Sequence, residues 1–274
     1  MRVASPGLLA ALDAELTTVA LVARIARRDG VLLAWTTADT AIELDGVRHE
    51  PAPGLSLSAI DLGGDEAGDV TGVLGADAVS AADVAAGRFD GARVVLGLVD
   101  AMQPQLGEMS LGAGRIARIE ARDGAFTATL RSALGALDAV PITLCAPECR
   151  AQLGDPRCRV NLAGRRTLAR ITGGVGVSLA HDSPAGAADA FAYGRVRALS
   201  GAAVGLERAI VASVAGQVTL EALLDGAVPS DRIELTEGCD KRFATCRDRF
   251  ANALNFQGEP HVPGGDAVTR YAGL

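Results

Sequence analysis

The sequence predicts a mainly β protein: a β-rich N-terminal domain, a second β domain bracketed by cysteine segments, and few short helices. Three observations carry that prediction. Asp-Gly pairs recur between apolar runs in the first half, at Asp29-Gly30, Asp45-Gly46, Asp90-Gly91 and Asp123-Gly124, and Asp-Gly accepts the positive φ of tight hairpin turns. A second series of short β-type runs, separated by Gly, Pro and Asp, starts near Arg166. All the cysteines lie at the margins of that second series, and none precedes Cys145.

The elements follow in chain order. Pro6 to Leu16 reads as a short helix. The first Asp-Gly joins TTVALVARIARR to VLLAWTT, and the second joins AIEL to VRHE. SAADVAAGR reads as helical, with Ser80 as its cap and Asp83 at the third helical position. The third Asp-Gly joins AGRF to ARVVLGLV, the fourth joins GRIARIEAR to AFTATL, and RSALGALD is a further short helix. The boundaries so placed are 1–144 for the N-terminal domain, 145–165 for the first cysteine segment, 166–236 for the second β domain and 237–274 for the C-terminal cysteine segment and tail. Within the second domain LARITG, FAYGRVRAL, RAIVASVAG, QVTLEAL and DRIEL read as strands, TGGVGVS as a glycine-rich turn and AHDSPAGAADAFA as an exposed loop. In the tail, Phe250, Leu254 and Phe256 fall at helical spacing and read as core.

Composition narrows the function. The 274-residue chain carries a formal net charge of −7, which offers no surface for a polyanion, so nucleic acid is not an expected partner. Hydrophobic residues make up 49% but aromatics only 3%, so the cores are built from Val, Leu, Ile and Ala. The apolar runs fall short of the roughly 20 residues of a membrane span, and acids interrupt the N-terminal stretch where a signal peptide continues apolar; the expectation is a soluble protein made in the cytoplasm. None of the nucleophile-elbow, zinc-protease or phosphate-loop patterns occurs, so an enzyme is not expected. His49, His181 and His261 are scattered and read as surface or turn residues. Asp61, Asp65, Glu66 and Asp69 lack the register of a calcium loop and read as a solvated acidic loop.

The cysteines are the chemistry-bearing residues. CAPECRAQLGDPRC holds Cys145, Cys149 and Cys158, and GCDKRFATC holds Cys239 and Cys246, so the two segments bracket the second β domain. Disulfides are disfavoured by an odd cysteine count in a chain without an export signal. Structural zinc usually takes closer knuckle spacing than the eight residues between Cys149 and Cys158 or the six between Cys239 and Cys246. Iron–sulfur clusters accept thiolates from wider loops. Spacing leaves zinc and an iron–sulfur cluster both open.

CRAQLGDPRC, GCDKRFATCRDRFANALNFQGEPHVPGGD and, in the first domain, RRDGVLLAWTTAD, APGLSLSAI and GRFDGARV resemble the conserved phage tail proteins of the baseplate hub. Gene transfer agents of alphaproteobacteria carry such a protein, and the C-terminal block is also similar to minor tail protein L of lambda-type phages. The resemblance spans nearly the whole chain. It implies a structural component of a phage or gene transfer agent tail tip in which Cys149, Cys158, Cys239 and Cys246 hold a [4Fe-4S] cluster, with zinc the alternative. Cys145 lies outside the pattern and reads as a free thiol packed like a small hydrophobe. Lys241, Arg242, Arg247 and Arg249 offset the negative charge of such a group or form an interface rim, with a solvated face the plainer reading of each side chain. The implied partners are the distal tail protein, the central fibre-bearing tip protein and further copies in a ring, most simply a trimer. The competing reading is a soluble iron–sulfur or zinc protein with a redox or catalytic role.

Overall fold

The computed structural model describes residues 4–52, 55–57, 66–73, 79–132, 143, 145–183 and 189–262. The chain divides into two compact units, Met1–Pro141 and Ile142–Leu274, and both are mainly β.

The first unit contains α1 (Pro6–Leu12), β1 (Val19–Ala26), β2 (Leu32–Thr36), β3 (Ile42–Leu44), β4 (Val47–Pro51), β5 (Ser56–Leu57), β6 (Glu66–Val73), α2 (Ala81–Ala85), β7 (Arg93–Asp100), β8 (Met109–Arg122) and β9 (Ala125–Arg131). The strands form one sheet of nine in the order β3-β4-β2-β1-β7-β8-β9-β6-β5, antiparallel except where β2 meets β4. Alternation along β1 sends Ala23 and Ile25 to one face and Ala20 and Val22 to the other. The larger core gathers Ile25, Trp35, Val94, Leu96, Phe126 and Leu130 around a fully buried Phe89. On the second face Val22 packs with Ile42, Leu44 and Val99. Trp35 and Phe126 meet at 6.0 Å between ring centroids.

Two Asp-Gly pairs make two-residue hairpins with both residues left-handed: Asp45 and Gly46 at φ 51° and 75°, Asp123 and Gly124 at φ 49° and 77°. Asp29-Gly30 turns a wider loop between β1 and β2, with Gly30 alone at positive φ. Asp90-Gly91 departs from expectation. The AGRF segment is the turn that follows α2, whose start is capped by the Ser80 hydroxyl accepting from the Asp83 N–H at 3.0 Å, and Phe89 is drawn into the core, so this pair leads from that turn into β7. The first helix stops at Leu12, four residues earlier than read. Glu66 and Asp69 lie in β6 rather than in a loop, while Asp61 and Asp65 fall outside the described residues, as does RSALGALD beyond Ser132.

The second unit holds a closed six-stranded barrel of β10 (Arg166–Val175), β11 (Ser178–His181), β12 (Arg195–Ala198), β13 (Glu207–Val214), β14 (Gln217–Leu220) and β15 (Arg232–Thr236), in the order β10-β11-β14-β13-β12-β15. Of TGGVGVS only Gly176 and Val177 turn, between β10 and β11, while Thr172–Val175 continue β10; β11 itself was not legible. The first half of β10 pairs with β15 and the second half with β11, with a bulge between Ile171 and Gly173. β13 divides in the same way between β12 and β14, and these two bent strands close the barrel. Ile171, Val196, Ile210, Val218, Ile233 and Leu235 are buried by alternation.

His49 and His181 are not surface residues. His49 is wholly buried, with Nδ1 3.1 Å from the Val47 carbonyl; His181 is 6% exposed and meets Phe191 edge-on at 6.0 Å. Burial lowers both imidazoles below their ordinary value.

Candidate functional site

The two cysteine segments lie side by side within the second unit, fastened by backbone bonds. The Cys149 N–H donates to the Lys241 carbonyl at 2.8 Å, Arg150 to Gln257 at 3.1 Å and Glu259 to Ala146 at 2.9 Å. The Arg150 guanidinium grips both carboxylate oxygens of Glu259 at 2.6 and 2.8 Å, and the Ala146 N–H reaches the same carboxylate at 2.9 Å. Arg150 and that N–H hold the Glu259 carboxyl down to about 2. Sequence reasoning passed over this clamp, since no local pattern links residues so far apart.

Each thiol has its own local support. Asp155 accepts N–H bonds from Gln152 at 3.0 Å, Arg157 at 2.9 Å and Cys158 at 2.6 Å, curling GDPRC so that Cys158 returns to the interior. The Asp-Pro pair was the available signal for that turn. Cys239 is placed by close packing. A Cβ on Gly238 would stand 1.9 Å from the Ala192 carbonyl oxygen, and one on Gly194 would stand 2.0 Å from that of Thr236, so only glycines let these strands approach. Cys246 sits on α3 (Phe243–Asp248), and the Asn252 carbonyl oxygen lies 3.3 Å from its sulfur.

Arg165 and Arg249 both bond Glu237, at 3.0 and 2.8 Å, and both guanidiniums lie about 5 Å from the Phe250 ring. This cluster locks the end of β15 to the start of the cysteine segment. Lys241 is likewise a pin, its ammonium bonded to the Ala151 carbonyl. Arg242 and Arg247 form the solvated face, with side chains 79% and 59% exposed. Phe250 is core as read, but Leu254 is fully exposed, because the helix lies upstream at α3 and the chain beyond makes only a 3-10 turn at Ala253–Asn255. His261 packs against Phe243.

All five cysteines are free. Burial, followed by the charges of Cys149, Cys239 and Cys158, pushes the Cys246 thiol up to about 11. Burial also raises Cys239, opposed by the Lys241 backbone N–H. Further donors face the sulfurs: the Gln257 N–H at 3.4 Å from Cys149 and the Asn252 amide at 3.7 Å from Cys158. Cys145 is exposed, not packed, and is absent from the groups acting on Cys246. Cys239 also borders a groove of about 390 Å³ lined by Arg166, Tyr193, Arg195 and Lys241, which gives it an open side.

Among the described residues no three His, Cys, Asp or Glu side chains meet tightly enough for a single metal ion. Cys149, Cys158, Cys239 and Cys246 sit on two segments bonded side by side, with N–H donors at three of their sulfurs, a donor set of the kind that thiolate-bound groups of several metal atoms use.

Comparison with known proteins agrees with the fold in both units. The family described as "Baseplate hub protein, N-terminal attachment domain" matches residues 5–161, a stretch that includes Cys149 and Cys158. The family described as "Phage conserved hypothetical protein BR0599" matches residues 189–266, which include Cys239 and Cys246. No curated protein matches the chain. Among solved structures, a chain of one described as "Virion of native gene transfer agent (GTA) particle" is 34% identical, with a TM-score of 0.82 over 95% of this chain and 94% of that one. More than half of the sequence thus follows the hub attachment domain, and nearly all of it follows a chain of a virion at an identity that carries more than the fold: the protein belongs to the baseplate hub protein family.

Proposed function

We propose that the chain is a structural hub of a phage-like tail tip, in a gene transfer agent or a tailed phage, joining the distal tail protein at the tube end to the central fibre-bearing tip protein. The observation that carries this reading is the 34% identity across 95% of the chain with a virion component. Copies arranged about the tail axis form a closed ring, and a trimer is the simplest member between a sixfold tube and a tapering tip, since head-to-tail contacts close when their rotation divides a full turn.

Within each copy Cys149, Cys158, Cys239 and Cys246 hold a [4Fe-4S] cluster. When bound, it supplies metal–thiolate bonds that fasten the two cysteine segments at the base of the barrel. Four thiols on two segments bonded side by side, with N–H donors at their sulfurs, support a thiolate-bound metal group, and the family resemblance favours the cluster over zinc. The chain's own contribution is the frame: the Arg150–Glu259 clamp, the Asp155 turn and the Gly238 approach set the thiols before any metal arrives.

The test is to purify particles from producing cells under anaerobic conditions, label this chain in electron micrographs and assay iron and acid-labile sulfide. Label at the tail tip with iron and sulfide in the isolated chain is expected. Label on the capsid would end the hub reading, whereas one zinc per chain without sulfide would end the cluster and leave the hub.

A further inference from the structure

We propose that Asn252 is the positioning residue of the cysteine centre: it holds the two buried thiols, Cys158 and Cys246, in register and presents an N–H to the Cys158 sulfur. The proposal rests on the cluster reading above and extends it to a residue outside the thiol set. Cys158 and Cys246 are 8% and 7% exposed, whereas Cys149 and Cys239 are half-buried. Cys158 and Cys246 come from different segments, so something must fix their separation.

Asn252 touches both. Its backbone N–H donates to the Cys246 carbonyl at 2.9 Å, and its own carbonyl oxygen lies 3.3 Å from the Cys246 sulfur. Its side-chain Nδ2 donates to the Cys158 carbonyl at 2.6 Å and stands 3.7 Å from the Cys158 sulfur. The orientation of the amide is set by a third contact, since Asn255 Nδ2 donates to Asn252 Oδ1 at 2.7 Å and so leaves the NH₂ group facing Cys158.

The chemistry separates this residue from an ordinary loop asparagine. On ligation the Cys246 thiol loses its proton, and its contact with the Asn252 carbonyl goes with it. Donation from Nδ2 to Cys158 instead strengthens as that sulfur becomes negative. A buried thiolate without a donor is costly, and the Asn252 amide is the side-chain donor placed at this one. Donors at cluster sulfurs also raise the reduction potential. Asn252 therefore sets both how firmly metal is held and the potential at which it is reduced.

The test uses the full chain reconstituted anaerobically with ferrous iron and sulfide, comparing wild type with N252L, which keeps the approximate shape without the donor, and N255A, which frees the Asn252 amide but leaves it in place. N252L should lose iron to EDTA about 10-fold faster, the low end for outer-shell partners, with its reduction midpoint moved to more negative potential; N255A should move both in the same direction by less. In metal-free reduced protein, N252L should raise alkylation of Cys158 several-fold while leaving exposed Cys145 unchanged. A folded N252L with wild-type iron loss, midpoint and alkylation overturns the proposal. If N252L does not fold, N255A decides by the same readouts. If wild type takes up no iron and sulfide, the cluster reading falls, and Cys158 alkylation alone decides whether Asn252 positions the thiols.

Discussion

His49 and His181 each carry a ring nitrogen, Nε2, with no hydrogen-bond partner among the described residues, and each is held neutral chiefly by burial. The sign of the resulting pH dependence follows from proton uptake. The unfolded chain charges its histidines near the ordinary value of about 6.5, while the folded chain charges them only at lower pH, so stability is full above that value and is lost as pH falls below it. The urea midpoint should fall between pH 7 and pH 5, and H181F should flatten part of that fall; a midpoint constant across the range would show that the rings are hydrated. Gly238 belongs to the same scale. G238A drives a methyl group into the Ala192 carbonyl and should cost on the order of 3 kcal/mol, as strained substitutions at tight backbone contacts do, seen as a lower melting temperature. A wild-type melting temperature would mean that the two backbones separate easily.

At the scale of elements, the two-residue hairpins at Asp45-Gly46 and Asp123-Gly124 predict a graded effect. Nothing lies within 4 Å of a Cβ built on Gly124, so G124A pays no steric cost and only the left-handed strain of about 1 kcal/mol. Urea unfolding should register that amount, and a larger loss would point to a contact made by the hairpin tip. These hairpins were legible because their signal is local, two residues flanked by alternating strands. The Asp90-Gly91 pair misled because the same dipeptide also serves turns outside hairpins; SAADVAAGR was legible as a helix just before it, whereas the burial of Phe89 in the following turn was not. β11 escaped notice because it is a four-residue strand whose identity rests on pairing with β10 and β14. The four thiols were singled out through resemblance and not through spacing. Their support was not legible in either way, since the bonds of Glu259 to Arg150 and of Asn252 to Cys158 span about a hundred residues of chain.

At the scale of the whole molecule, the Arg150–Glu259 clamp fastens the cysteine segments, and the cluster proposed above would fasten them a second time, so the two fastenings should be coupled. C239S or E259A alone should give partial loosening, read as faster proteolysis near residues 145–165 and 237–262. The double variant should be cut faster than the product of the single effects, while a fragment of the first unit, which has no cysteine in its described part, stays resistant. Single effects that simply multiply would mean that each fastening holds a separate piece of chain. The strand arrangement has a consequence for aggregation. The barrel closes on itself and exposes no edge, and the nine-stranded sheet ends on β3 and β5, with three and two residues. Unpaired edges are where β proteins template one another's aggregation, and these two terminal strands are too short to recruit a second chain, although β5 pairs with only Val70 and Thr71 of β6. Stacking through the outermost strands β3 and β5 is therefore a poor route to fibrils, and purified chain should show no rise in thioflavin fluorescence as its concentration is raised.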